Sequence, residues 1–145
     1  MDPTPFVLDK SVLCGWFLAN QASPYSDAVS GLLSSVDAHA PWLLQLELTN
    51  VLRTACRRGT LTVAAAREIV DQVALLPIRI DPSPPPPPAL LSLALRFQLT
   101  SYDAAYLELA LRLQLPLATR DDELAQAAWA AGVGVLSPPL PPARD

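Results

Sequence analysis

Short apolar runs of strand length alternate with longer stretches of helical spacing along almost the whole chain, and that alternation limits the possible folds more than any other feature. Phe6–Leu8 and residues 40–43, 77–80, 115–118 and 133–136 read as strands. The first helix is predicted after Ser11, a residue type suited to capping, ahead of Val12, Leu13 and Trp16. Further helices are predicted over 26–37, 45–58, 62–75, 88–98, 101–114 and 121–131, with Gly59 stopping the third of the seven. Strands that alternate with helices are joined by right-handed crossovers, which makes a mostly parallel sheet covered by helices on both faces. In such α/β sheets ligands bind beyond the carboxyl ends of the strands.

One segment interrupts the pattern. Pro82 and the run Pro84, Pro85, Pro86, Pro87 and Pro88 can be neither helix interior nor central strand. A stiff polyproline-type connector is expected there, with Pro88 in the first turn of the following helix. A chain of 145 residues suffices for one domain with its own core. Residues 1–136 are expected to form it, and residues 137–145 a frayed, proline-rich C-terminal tail.

With 51% hydrophobic and 17% charged residues the chain should fold, and its apolar segments are broken before the roughly 18 residues that a membrane helix requires. No membrane association is expected. Met1 to Pro5 carries no basic cluster ahead of a signal-type apolar stretch, so a cytoplasmic location is expected. Cys14 and Cys56 lie in apolar helical stretches, as reduced core thiols do. His39 is expected in a solvated loop. The net charge of −4 does not announce a nucleic-acid binder, yet nine of the ten basic residues are arginine, and Arg53, Arg57 and Arg58 gather near one helix end. They could contact phosphate or simply complement the helix C-terminus.

The acids are distributed with more purpose. Asp9 follows the first strand and Asp121 the fourth, so both fall at the ligand-binding edge of the sheet. Glu47, three residues after Leu44 and four before Val51, borders the apolar stripe of its helix, with Asn50 one turn on. Asp103 shares a helix face with Leu107 and Ala110 and points inward, whereas Glu108 and Arg112 form an exposed pair. Each acid alone has an ordinary explanation. Asp9, Asp103 and Asp121 could stabilise helix N-termini, and Glu47 could pair with an arginine. As a set they would form a pocket for a divalent cation, since carboxylates aimed at a core need compensation.

Four segments carry a resemblance: Val7 to Val12, Glu47 to Leu52, Leu99 to Ala110, with Tyr102-Asp103-Ala104-Ala105-Tyr106-Leu107-Glu108-Leu109-Ala110 at its centre, and Leu117 to Asp121. They resemble the motifs of PIN-domain ribonucleases, specifically the toxins of VapBC toxin–antitoxin systems, over about residues 6–136. The resemblance implies a three-layer α/β/α sandwich and a Mg2+- or Mn2+-dependent endoribonuclease that leaves 5′-phosphate and 3′-hydroxyl ends. It also implies a homodimer and inhibition by a small cognate VapB-like antitoxin. Carried over position by position, Asp9, Glu47, Asp103 and Asp121 would be the catalytic and metal-binding acids. Ser11, Asn50 and Thr119 would support them, with Asp122 as a neighbour.

Two departures stand out. Lys10, the only lysine, replaces a small residue after the first acid and is expected to point away from the pocket, because neighbouring strand residues face oppositely. The proline connector is expected to lie away from all four motifs. A catalytically weak binding module, whose acidic pocket engages a basic antitoxin peptide, is the alternative. A phospho-accepting receiver is less suited, for it needs a lysine after a late strand.

Overall fold

The computed structural model describes residues 2–139. Four strands, β1 (Phe6–Leu8), β2 (Ala38–Pro41), β3 (Ile78–Asp81) and β4 (Leu117–Ala118), form an all-parallel sheet in the order β3-β2-β1-β4. Seven helices connect and cover them: α1 (Lys10–Phe17), α2 (Pro24–Gly31), α3 (Leu43–Arg57), α4 (Val63–Ala74), α5 (Pro87–Phe97), α6 (Ser101–Leu113) and α7 (Asp122–Ala130). Helix α6 lies on β1, β2 and β4, flanked by α5 and α7. In the other layer α1 touches α2 and α3, and α3 touches α4 and β2. The result is an α/β/α sandwich.

The core forms where the strands are apolar on both faces, as a doubly covered parallel sheet requires. Phe6, Val7, Leu8, Leu117 and Ala118 are fully buried, and Leu107, Leu109 and Tyr106 of α6 close over them. Thr62 caps α4 and Thr100 caps α6, each accepting an amide from three residues on. Pro87 and Pro88 fall in the first turn of α5, where the missing N–H is not needed. No helix among the described residues is long and apolar enough to cross a membrane.

Several sequence expectations are corrected. His39 stands in β2, opposite Val7 on one side and Arg79 on the other, and is half-buried. Burial and the Arg79 charge lower its pKa. The helix expected over 26–37 ends at Gly31 and gives way to a 3₁₀ turn at Leu32–Ser34, where Ser34 Oγ donates back to Gly31 O. The strand expected over 133–136 is reduced to a single parallel bridge from Leu117 to Val135, because Gly132 and Gly134 adopt positive φ and break the extended run. Val63 and Val70 of α4 are exposed. Of the proline-rich tail, residues 140–145 lie outside the described residues.

Candidate active site

The strand order places the neighbours of β1 on either side by opposite routes: the chain runs from β1 to β2 and β3 on one flank and returns to β4 on the other. In open parallel sheets ligands are taken where the order reverses, beyond the carboxyl ends of the strands. Asp9 leaves β1 and Thr119 leaves β4 at this point, with the Asp9 amide donating to Ala118 O at 3.1 Å.

Asp9 is 3% exposed and does not use its side chain to cap α1, although it occupies the N-cap position. Its Oδ2 instead accepts the hydroxyls of Ser11 and Thr119, each at 2.8 Å. Ser11 therefore serves Asp9 and is not the cap expected from its residue type. The same two hydroxyls accept amides in turn, Ser11 Oγ from Arg120 at 2.9 Å and Thr119 Oγ1 from Asp121 at 3.0 Å. Burial raises the Asp9 pKa against the pull of these donors, and the charge of Glu47 raises it further.

Glu47 rises from α3 and gives both oxygens to donors from other elements. Oε1 accepts the Tyr106 hydroxyl at 2.6 Å, and Oε2 pairs with Lys10 Nζ at 3.0 Å. Lys10 was expected to face away, but it is the first residue of α1 and no longer follows strand alternation. Burial lowers its pKa, yet Glu47, Asp9 and Asp103 outweigh that and leave it raised. Tyr106 is buried, and its role was not read from the sequence. The available signal was its spacing: three residues after Asp103, on the inward side of the same helix.

Asp103 sits in the first turn of α6, its amide bound to the Thr100 cap. Its pKa is pushed up to about 6 by burial, then by the negative charges of Asp121, Asp9 and Glu47. Acids from three other parts of the chain thus act on one carboxyl group. Asp121 combines this with an ordinary duty, capping α7 through Oδ1 to the Leu124 amide at 2.9 Å. Asp122 is exposed in the first turn of α7. Asn50 is exposed and lines a groove of about 610 Å³ with Phe17, Gln21 and Arg58, next to the acids and not among them. Arg120 Nη1 donates to Gln21 O in that groove at 2.6 Å.

Among the described residues no group of three or more histidine, cysteine, aspartate and glutamate side chains stands ready to hold a metal ion. The donor chemistry nevertheless suits a hard divalent cation, since the converging groups are all carboxylates and their mutual charge is only partly offset by Lys10.

The proline connector is closer to the site than its sequence position indicates. Pro84 and Pro85 wall an apolar notch of about 250 Å³ together with Trp42, Ser101 and Tyr102, the last two directly preceding Asp103 on α6. Glu108 and Arg112, read as an exposed pair, edge the same notch, and Arg112 also bonds Asp81 at 2.6 Å.

A family model for the PIN domain matches residues 6–130. Ribonuclease VapC1 of Mycobacterium tuberculosis, in strains CDC 1551 and H37Rv alike, is 38% identical over 99 residues, spanning 67% of this chain and 72% of the relative. The crystal structure of PAE2754 from Pyrobaculum aerophilum superposes with a TM-score of 0.68 at 24% identity, covering 86% of this chain and 84% of that one. The chain belongs to the PIN-domain family, within its VapC type.

Proposed function

We propose that this protein is a metal-dependent endoribonuclease, the toxin of a type II toxin–antitoxin pair, acting in the cytoplasm on RNA. What supports the reading is that the charges of Asp121, Asp9 and Glu47 all act on the Asp103 carboxyl group, in a chain 38% identical over 99 residues to a ribonuclease. Residues 1–136 would form the single nuclease domain.

Asp9, Glu47, Asp103 and Asp121 would hold Mg2+ or Mn2+, which when bound acidifies water and neutralises a phosphate oxygen. Ser11 and Thr119 fix Asp9 Oδ2 in one orientation, and Thr119 also fixes the turn that presents Asp121. The Thr100 cap sets the first turn of α6 and with it Asp103. Asn50 and Arg58, in the adjoining groove, would meet the RNA backbone, where guanidinium suits phosphate. The expected products carry 5′-phosphate and 3′-hydroxyl ends. A basic segment of a cognate VapB-like antitoxin would compete for the acidic site, and a homodimer is the expected assembly.

The test is cleavage of a mixed-sequence RNA by the purified chain with Mg2+ or Mn2+. Cleavage should vanish with a chelator and in Asp9→Asn and Asp103→Asn. Cleavage that survives both substitutions would rule the reading out. The Lys10–Glu47 pair favours one other reading, a catalytically weak module that binds a basic peptide. Tight antitoxin binding without metal uptake or turnover would select it.

A further inference from the structure

We propose that Lys10 is a built-in cation of the acidic site: its ammonium holds Glu47 and stands in for a second divalent ion, leaving Asp9, Asp103 and Asp121 to take up a single one. This rests on the metal reading above and departs from it in one place, taking Glu47 from the ligands of the ion to the partner of Lys10.

The geometry begins with the turn from β1 into α1. Asp9 is the last extended residue and Lys10 the first helical one, so the two side chains do not diverge to opposite faces of a sheet. Lys10 reaches α3, where its Nζ lies 3.0 Å from Glu47 Oε2. The other Glu47 oxygen is taken by the Tyr106 hydroxyl at 2.6 Å. A carboxylate with a donor on each oxygen, from α1 and from α6, is fixed in place, and each donor takes up a lone pair that a cation would otherwise use.

Exposure gives the direction of approach. The Glu47 side chain is 14% exposed and the Lys10 side chain 44%, so the ammonium enters from solvent and meets a carboxylate already sheltered by the protein. An exposed ion pair has little energetic consequence, but this one faces further negative charge from Asp9 and Asp103.

Charge counting leads to the same place. Four carboxylates and one ammonium retain enough negative charge for one divalent ion and too little for two. A second ion would also stand beside a like charge at short range, a strongly repulsive arrangement where water is partly excluded. Lys10 carries its positive charge permanently, whereas a second ion would have to be recruited from solution.

The experiment is Mn2+ uptake by the full chain, followed by calorimetric titration and by electron paramagnetic resonance, in the wild type and in Lys10→Met. Methionine keeps the length of the stem and removes the charge. The wild type should bind one Mn2+ per chain. Lys10→Met should bind its first ion about tenfold more tightly or better, and should take up a second. Without metal, Lys10→Met should melt below the wild type, since the acids have lost their counter-ion, and saturating Mn2+ should close that gap. Equal stoichiometry and equal affinity in the two proteins would overturn the role of Lys10 while leaving the metal reading intact. No uptake by either would overturn both.

Discussion

Thr119 donates its hydroxyl to Asp9 Oδ2 at 2.8 Å, joining the end of β4 to the end of β1 across 110 positions of sequence. The bond is buried, and Thr119 Oγ1 in turn accepts the Asp121 amide, so one small side chain sets the relation between two of the acids. Thr119→Val preserves the shape and removes both interactions. It should lower stability by about 1–3 kcal/mol in urea denaturation, because a buried carboxylate loses a donor and an amide loses its acceptor. Thr119→Ser should recover most of the loss. An unchanged midpoint for the valine variant would mean that the bond has no structural weight.

Gly15 shows how closely the first helix is seated. A Cβ placed there would lie 2.6 Å from Ser26 Oγ and 2.9 Å from the Gln21 carbonyl oxygen. Ser26 is fully buried and its own carbonyl is held by Trp16 Nε1 at 2.6 Å, so neither neighbour can withdraw easily. Gly15→Ala should therefore destabilise the protein even though alanine is the better helix former by about 1 kcal/mol, since overpacking costs about 1–3 kcal/mol. A thermal melt at or above that of the wild type would contradict this close approach.

The acidic site also sets a pH dependence in the metal-free protein. The Asp103 pKa is raised from 3.8 to about 6, through burial first and then through Asp121, Asp9 and Glu47. Between those two values the folded state holds a proton that the unfolded state has released, so the contribution of Asp103 to stability falls as pH rises through that window. Asp103→Asn has no such proton to lose. The variant should gain on the wild type in denaturation experiments from about pH 4 to about pH 6, and the difference should be flat above about pH 7. A difference independent of pH would show that neither burial nor the other acids raise the Asp103 pKa.

Much of this architecture was legible in the sequence, because a doubly covered parallel sheet leaves a simple signature. The strand-length runs read at Phe6–Leu8, 77–80 and 115–118 contain most of β1, β3 and β4, and the amphipathic helices between them have caps, Thr62 and Thr100, that obey local rules. The inward aim of Asp103 followed from helical spacing alone. His39 was misjudged because a polar residue among small ones resembles a loop, and only pairing with strands on both sides makes it a strand residue. Residues 133–136 have strand composition, but the glycines at 132 and 134 decide the backbone there.

Lys10 escaped for a different reason. Its direction depends on where β1 ends and α1 begins, and a shift of one residue reverses the side chain. Spacing gives the inward face of Tyr106 but not its partner Glu47, and the Trp42–Tyr102 notch that meets Pro84 is likewise distant in sequence. Spacing shows which face a residue occupies. It does not show what arrives opposite.

The central claim is that carboxylates from separate elements form one cation site, and the most direct measurement is the anomalous diffraction of manganese in crystals of the wild-type chain soaked with Mn2+. A single strong peak among Asp9, Asp103 and Asp121, absent from crystals of Asp103→Asn, is the predicted result. A map with no manganese at these residues, or with the ion bound elsewhere on the surface, would contradict the account.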